Sequence, residues 1–194
     1  MKRIWCATTN PGKLREFSLG GSKAGFDVEP LPEMAAPDET GSTFIQNATI
    51  KALYYSKFVL EPVLVDDSGL AIDALGGSPG VWSARYAGPD ADDAANNRLV
   101  LERMTGQSNR RARFVSVIAL AEAGKLLATF EGVIEGELLG DPRGSGGFGY
   151  DPLFFYPPFN CTLAEASPEQ KLQVSHRGQA LAKLFTYLRE HRKD

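Results

Sequence analysis

The chain has 194 residues, a hydrophobic share of 43% and a formal net charge of -3, values typical of an ordinary globular protein. This charge balance offers no clustered basic face, so we expect no nucleic-acid partner. No apolar run approaches the roughly 20 residues that cross a bilayer, so we expect no membrane partner. The only cysteines, Cys6 and Cys161, lack metal-ligand spacing and a preceding secretory segment, which predicts reduced thiols in a cytoplasmic protein.

The chain opens with a predicted strand, a polar loop and the start of a helix. The loop covers residues 8–13 (TTNPGK). Pro11 suits a first helical turn, Gly12 lets a ligand approach the backbone, and Lys13 adds a positive charge. Because free amides at a helix start bind anions, this loop is a candidate phosphate site. An ordinary helix cap is the alternative, since the Walker spacing is absent.

A short strand at residues 27–30 and a proline-rich loop lead to a predicted helix over about 44–58. Asn47 and Lys51, four residues apart, share one face of this helix. Taken alone, that face is expected to be solvated. Glu39, in the loop just before the helix, is a candidate metal ligand.

The central stretch is residues 63–70 (VLVDDSGL), an apolar run that meets two acids, a hydroxyl and a glycine. It predicts a buried strand whose end delivers Asp66 and Asp67 to a ligand-binding rim. Neighbouring carboxylates repel each other and resist burial, so they need a compensating cation or ligand. Their hard oxygens favour Mg²⁺. The alternative is a solvated turn in which Asp66 caps and Asp67 faces water.

Farther along, the acidic residues 90–93 predict the start of a third helix. Strands at residues 111–120 and 125–131 follow, joined by a turn at residues 123–124, and together they predict a hairpin. Gly132, in the extension of this hairpin, predicts a bulge or a bend.

The second chemically loaded stretch is residues 144–152 (GSGGFGYDP). Glycine on both sides of Phe148 lets a flat ligand such as a purine approach the ring and the main chain together. A flexible hairpin loop anchored by one phenylalanine is the alternative. His176 and Arg177 lie at the start of the C-terminal helix, where the helix dipole disfavours cations, and this position indicates an anionic or acceptor-rich ligand.

Six motifs in this order resemble the inosine triphosphate pyrophosphatase family over nearly the whole chain. They are TTNPGK at 8–13, ETG, TF and NA within 39–48, DDSGL at 66–70, PG and SAR within 79–85, FGYDP at 148–152 and SHR at 175–177. These enzymes, also called dITP/XTP pyrophosphatases, hydrolyse deaminated purine triphosphates such as ITP, dITP and XTP to the monophosphate and pyrophosphate. The resemblance implies one α/β domain over residues 1–194, in which an elongated mixed β-sheet with flanking helices forms two lobes and a central cleft, and it implies a homodimer.

The resemblance also implies roles for individual residues. Asp67 resembles the general base that activates water, and the residues that resemble Mg²⁺ ligands are Glu39, Asp66 and Asp67. The positions that resemble phosphate contacts are Thr8, Thr9, Asn10, Gly12, Lys13, Lys51 and Lys171, with Ser68 as a further substrate contact. Those that resemble the base pocket are Phe148, Gly149, Tyr150, Asp151, His176 and Arg177. Two positions depart from the family pattern: Gln46, where bacterial relatives commonly have Glu, and Leu172, where Asn is usual.

The chemistry agrees with these roles, because phosphoryl transfer needs charge neutralisation from lysines and a metal. Hypoxanthine and xanthine carry a 6-oxo acceptor where adenine carries an amino donor, so donors from His176 and Arg177 would select the former. Two other classes of function stay open: a phosphatase with an aspartyl nucleophile, and a non-catalytic purine nucleotide-binding regulator. Neither accounts for Glu39, Lys13 and the Phe148 loop together.

Overall fold

Strands and α-helices alternate from β1 to β4 in this computed structural model, which describes residues 2–191, and the last strands and helices then follow in two groups. The strands are β1 (Lys2–Cys6), β2 (Phe26–Pro30), β3 (Val63–Ile72), β4 (Arg111–Glu122), β5 (Lys125–Leu138), β6 (Phe154–Tyr156) and β7 (Cys161–Thr162). The α-helices are α1 (Pro11–Ala24), α2 (Phe44–Tyr55), α3 (Asp93–Arg103), α4 (Pro168–Val174) and α5 (His176–His191). Short 3₁₀ helices cover Asp73–Leu75, Gly80–Arg85 and Pro157–Phe159. None of the helices in this part of the chain has the length and hydrophobicity needed to cross a bilayer.

The strands form one mixed sheet with the order β2-β1-β3-β4-β5-β6-β7. Strand β1 pairs in parallel with both β2 and β3. At the other side of the sheet, β6 pairs antiparallel with β5 and with β7. The predicted α/β class with a mixed sheet and flanking helices is therefore confirmed.

The chain divides into two compact units. The first unit comprises Met1–Asp67, Ser116–Gly132 and His176–Asp194, and the second comprises Ser68–Val115 and Val133–Ser175. Each unit has its own hydrophobic core. Core residues of the first unit are Ala48, Ala52, Tyr55, Val63, Val65, Val117, Ala119 and Ala121. Core residues of the second unit include Leu70, Ile72, Val100, Phe114, Tyr150, Leu153 and Phe154.

Strand β3 does not end at its two acids, as the sequence predicted. It runs unbroken from Val63 to Ile72, so Asp66 and Asp67 lie in its middle and are buried. The predicted strand end is wrong, and so is the alternative of a solvated turn. Beyond the acids, the backbone N–H of Leu70 donates to the hydroxyl of Ser83 at 2.9 Å, which holds the second half of the strand in the second unit. Successive side chains of a strand point to opposite faces, so each carboxylate meets different partners.

The hairpin of β4 and β5 is confirmed. Its turn contains Ala123 and Gly124, both with positive φ. Strand β5 continues through Gly132 to Leu138. A side chain at residue 132 would collide with the backbone oxygen of His176 at the start of α5. This glycine therefore permits close packing of a helix on the strand.

Candidate active site

A partly buried lysine joins two carboxylates in the first unit. Lys51 projects from the middle of α2, and its Nζ lies 2.8 Å from Oε1 of Glu39 and 2.8 Å from Oδ1 of Asp67. A third hydrogen bond of 3.1 Å runs from the same ammonium to the backbone oxygen of Asp66. An ammonium has three donors, and these acceptors use all three. The structure therefore brings together three residues that the sequence assigned to the metal and phosphate sites.

The electrostatics of this cluster favour a charged lysine and a basic aspartate. Burial raises the pKa of Asp67 above its ordinary value, although Lys51 acts in the opposite direction. Burial alone would lower the pKa of Lys51, but attraction to Asp67 and Glu39 outweighs burial, and the pKa is raised. The second carboxylate oxygen of Asp67, Oδ2, is buried and has no hydrogen-bond partner among residues 2–191. A buried acceptor of this kind is a place where a cation or a water can bind.

Asp66 serves a different set of partners. Its Oδ1 accepts a 2.5 Å hydrogen bond from the hydroxyl of Ser116, while its Oδ2 lies 2.8 Å from Nζ of Lys13 and 3.3 Å from a guanidinium nitrogen of Arg177. Burial would raise the pKa of this carboxyl, but attraction to Lys13 and Arg177 outweighs burial and holds the pKa well below its usual range. Asp66 is therefore a buried anion that orders two cations.

Glu39, Asp66 and Asp67, the three predicted Mg²⁺ ligands, differ in how well their positions suit the ion. No group of three or more His, Cys, Asp or Glu side chains within the described part of the chain is arranged to hold a metal. Asp66 directs its oxygens to Ser116, Lys13 and Arg177 and does not join Glu39 and Asp67. Glu39 and Asp67, which share one ammonium, still offer two hard carboxylates and the unpartnered Oδ2. This set fits Mg²⁺, which takes one or two carboxylates and completes its shell with water and substrate phosphates.

The first turn of α2 holds the loop that carries Glu39. The side-chain oxygen of Asn47 accepts a 2.8 Å hydrogen bond from the backbone N–H of Gly41. Next to it, Oε1 of Gln46 accepts from the backbone N–H of Ser42 at 2.8 Å and from its hydroxyl at 3.1 Å. Asn47 is buried, so the expectation of a solvated face is wrong for this part of the helix. Gln46, one of the departures from the family pattern, serves here as a tether for the loop.

The loop between β1 and α1 is built as a helix start. Oδ1 of Asn10 accepts from the backbone N–H of Lys13 at 3.0 Å, and the hydroxyl of Thr8 accepts from the backbone N–H of Asn10 at 3.2 Å. Pro11 occupies the first helical turn, as predicted. The cap and the phosphate site were alternatives in the sequence, yet one loop can serve both, because the cap orients the helix amides and Lys13 extends toward Asp66. Of the other predicted contacts in this loop, Gly12 is buried and Thr9 is exposed.

His176 and Arg177 are the first residues of α5, and both are buried in the first unit. The guanidinium of Arg177 lies 2.5 Å from Oε2 of Glu16, in addition to its contact with Asp66. Burial alone would lower the pKa of Arg177, but these two carboxylates outweigh burial, and the pKa is raised above its ordinary value. The sequence predicted an anionic or acceptor-rich ligand at this helix start, and that ligand stays a prediction. The neighbours in the structure include two carboxylates of the chain itself.

In the second unit, Lys171 joins two residues of the predicted base pocket. Its Nζ contacts Oδ2 of Asp151 and lies 4.6 Å from the centroid of the Phe148 ring. Oδ2 of Asp151 also accepts a 2.9 Å hydrogen bond from the backbone N–H of Phe148. All three residues carry further interactions. Lys171, predicted for the phosphates, is thus grouped with the aromatic loop.

Three other predicted contacts also lie in the second unit. The hydroxyl of Tyr150 donates to the backbone oxygen of Ser83 at 2.7 Å, and its ring belongs to the core of this unit. Burial raises the pKa of Tyr150 well above its ordinary value. Gly149 has a φ of 61°, and Ser68, half-buried in β3, directly follows Asp67. Tyr150 therefore contributes packing beneath the loop.

Sequence reasoning missed Glu16, Ser116 and Asn47 as parts of the site. Glu16 was indistinguishable from any charge on an amphipathic helix. Ser116 had a signal, because it is a hydroxyl on the otherwise apolar face of β4 that includes Phe114 and Ile118. A polar residue at an inward position needs a buried partner, and here the partner is Asp66.

Comparisons with known proteins place these observations in a family. The sequence model of the Ham1 family matches residues 4–187. A dITP/XTP pyrophosphatase of Exiguobacterium sp. (strain AT1b) is 49% identical over 185 residues, which are 94% of this chain and 94% of that protein. One from Geobacillus kaustophilus is 49% identical over 189 residues, covering 95% of this chain and 93% of its own. The solved structure of a HAM1 protein from Coxiella burnetii has a TM-score of 0.87 and 44% identity, and covers 98% of this chain and 100% of that chain.

Proposed function

This chain belongs to the Ham1 family, and we propose that it hydrolyses deaminated purine nucleoside triphosphates (ITP, dITP and XTP) to the monophosphate and pyrophosphate. Family membership confirms the resemblance drawn from the six motifs. The relatives named dITP/XTP pyrophosphatase support the substrate class. The observation that carries the proposal is the cluster of Glu39, Lys51 and Asp67. In it, Oδ2 of Asp67 is buried and has no hydrogen-bond partner among residues 2–191, so it can accept a ligand.

We propose Mg²⁺ as the cofactor, held by Glu39 and Asp67. The support is the unpartnered Oδ2 of Asp67 and the chemistry of two hard carboxylates next to one lysine. When bound, such an ion neutralises the phosphate oxygens and the departing pyrophosphate. A direct bond from Asp66 to the ion stays a prediction. The ion pairs of Asp66 with Lys13 and Arg177 already explain why a carboxylate is buried at this position.

Asp67 is the proposed general base. Lys51 binds its Oδ1 and thereby fixes the carboxylate, which leaves Oδ2 for a ligand. Burial raises the pKa of Asp67, so the carboxylate is a stronger base than an exposed aspartate. It takes a proton from the water that attacks the α-phosphorus. The bond from that phosphorus to the bridging oxygen breaks, and pyrophosphate leaves.

The remaining predicted contacts keep their proposed roles. In the first unit, Lys13 and the capped start of α1 suit phosphate oxygens, and His176 and Arg177 are proposed contacts of the base. In the second unit, Phe148 offers an aromatic face, with Asp151 and Lys171 as polar groups beside it. An aromatic face with polar neighbours suits a purine.

The resemblance supports a proposal on the assembly of the protein, and the cysteines support a proposal on its location. We propose a homodimer, and we propose that the protein acts in the cytoplasm, where free thiols such as Cys6 and Cys161 are expected.

A nucleotide panel with separate measurements of pyrophosphate and orthophosphate tests the function. With Mg²⁺, we expect ITP, dITP or XTP to give the monophosphate and pyrophosphate far faster than ATP or GTP does. Release of orthophosphate alone, or turnover of ITP no faster than that of ATP, would contradict the proposal. Binding of ITP without turnover over hours would indicate the regulator instead, and a trapped phospho-aspartate would indicate the phosphatase.

A further inference from the structure

The loop that carries Phe148 is rich in glycine, so it needs contacts from other residues to hold one conformation. Gly147 and Gly149, on either side of Phe148, have φ angles of 70° and 61°. Glycine in this left-handed region is conformationally permissive, and it loses much freedom when a loop becomes ordered. The direction of the Phe148 ring therefore depends in part on the groups that hold the neighbouring backbone, in addition to its contact with Lys171.

Three side chains hold that backbone. Asp151 accepts from the N–H of Phe148 at 2.9 Å. Oδ2 of Asp93 accepts from the N–H of Gly149 at 2.6 Å, and Nδ2 of Asn97 donates to the carbonyl oxygen of Gly149 at 2.8 Å. The N–H and the carbonyl of one glycine are thus both bound by side chains from α3.

The geometry of α3 explains this grip. Asp93 and Asn97 are four residues apart, so their side chains lie on the same face of the helix. The N–H and the carbonyl of Gly149 belong to consecutive peptide planes, and binding both fixes the φ and ψ of that residue. The bond from the N–H of Gly149 to Asp93 is charge-assisted, which makes it stronger than a bond between neutral groups.

Helix α3 is itself anchored, so it can serve as a reference for the loop. Oδ1 of Asp92 caps the helix by accepting from the N–H of Ala95 at 2.7 Å. Asn96 accepts from the N–H of Ala87 at 2.8 Å and donates to the carbonyl oxygen of Ala84 at 3.2 Å. Val100, one turn later, is fully buried in the core of the second unit.

We propose that Asp93 and Asn97 are positioning residues that hold Phe148 in place for the purine and thereby set the base selectivity of the enzyme. This inference rests on the proposed function for its link to selectivity. The restraint of the loop itself does not depend on it. Neither residue needs to touch the nucleotide, because each acts through the peptide groups of Gly149.

The first test needs no substrate. Amide exchange of Phe148 and Gly149 is measured by NMR in the full chain and in the Asp93→Ala and Asn97→Ala variants. We expect exchange of the Gly149 amide to quicken about tenfold or more in Asp93→Ala, because its acceptor is lost. The Asp92→Ala variant weakens the helix cap one residue away and leaves the Gly149 contacts in place, so it is the matched control. An unchanged exchange rate of the Gly149 amide in Asp93→Ala, or an equal increase of that rate in Asp92→Ala, would overturn the inference.

The second test follows selectivity. We expect Asp93→Ala and Asn97→Ala to raise the KM for ITP about tenfold with little change in kcat. The kcat/KM for ITP divided by that for ATP should therefore fall in both variants. Asp93→Asn keeps an acceptor oxygen and should retain most of that ratio, whereas Asp92→Ala should lower Tm and leave the ratio unchanged. Failure of the unmodified protein to prefer ITP would refute the proposed function. If the unmodified protein does prefer ITP and both alanine variants keep its ITP to ATP ratio of kcat/KM, the positioning role is refuted and the proposed function is not.

Discussion

Lys51 binds one oxygen of Asp67 and leaves the other for a ligand. Its Nζ lies 2.8 Å from Oδ1, while the buried Oδ2 accepts no hydrogen bond from any residue in the described part of the chain. Leaving a buried acceptor unmet costs about 1–3 kcal/mol. A cation or a water at Oδ2 would remove that cost, so the lone oxygen identifies the part of the cluster at which chemistry is expected.

Replacing Asp67 by Asn tests the general base directly. The amide has nearly the same size but cannot take a proton from water, so we expect turnover of ITP to fall by about 10²–10⁴-fold or more. Calorimetric binding of ITP should change little. Asp73→Asn, at a half-exposed pair with Arg113, is the control and should keep full activity. Substantial turnover by Asp67→Asn would place the base elsewhere.

The pH dependence of turnover should follow the carboxyl of Asp67. Burial raises its pKa, and the base works only when deprotonated, so kcat/KM should fall as the pH drops through that raised pKa. Lys51 lowers the pKa of Asp67. The variant Lys51→Gln should therefore move the acid limb of the profile to higher pH, in addition to lowering the rate. An acid limb that stays in place or moves to lower pH in this variant would contradict the pairing.

Asp66 should matter for stability more than for proton transfer. Its carboxylate is fully buried beside Lys13 and Arg177. Replacing it with Asn removes the carboxylate paired with Lys13 and one carboxylate partner of the buried Arg177, which also pairs with Glu16, at a cost of about 3–5 kcal/mol. For a chain of this size, each kcal/mol corresponds to roughly 2–4 °C in Tm. Calorimetric melting of Asp66→Asn should show this loss, and the exposed Asp27→Asn should not.

The pH dependence of this stability has a definite sign. The folded-state pKa of Asp66 lies below its unfolded value, so its contribution is fully present above the ordinary pKa of an aspartate. It is lost only as the pH falls through the lower, folded value. The gap in unfolding free energy between the wild type and Asp66→Asn should thus be constant near neutral pH and close only in strong acid. A gap that already closes near pH 6 would contradict this assignment.

The loop of Glu39 offers a test of the proposed metal site by a single methyl group. A Cβ at residue 41 would lie 2.6 Å from Oδ1 of Asn47 and 2.6 Å from the Cβ of Gln46. Gly41→Ala must therefore displace the loop, and we expect a higher Mg²⁺ requirement for turnover and weaker Mg²⁺ binding in calorimetry. At Gly140 an added Cβ meets nothing within 4 Å, so Gly140→Ala is the matched control. Equal behaviour of the two variants would argue against Glu39 as a ligand.

Local features of the fold could be predicted from the sequence because their causes are local. The helix start at Pro11 depends on residues next to it, and the hairpin turn at Ala123 and Gly124 depends on two adjacent positions. The sequence could not show that β3 continues through its acids. The cations that permit this burial, on Lys13, Lys51 and Arg177, lie far away in the chain.

The candidate site could be predicted as a set of residues, but its grouping could not. The family resemblance placed Lys171 with the phosphate lysines, whereas the structure places it against Asp151 and Phe148. The restraint of Gly149 by Asp93 and Asn97 joins residues more than 50 positions apart. Contacts of this kind depend on tertiary packing, and no periodicity in the sequence encodes them.

Hydrolysis of ITP in ¹⁸O-labelled water tests the central claim most directly. If Asp67 activates a water that attacks the α-phosphorus, mass spectrometry of the products of a single turnover should find the label in inosine monophosphate and none in pyrophosphate. Label in pyrophosphate, or in released orthophosphate without labelled monophosphate, would show attack at a different phosphorus and contradict the account.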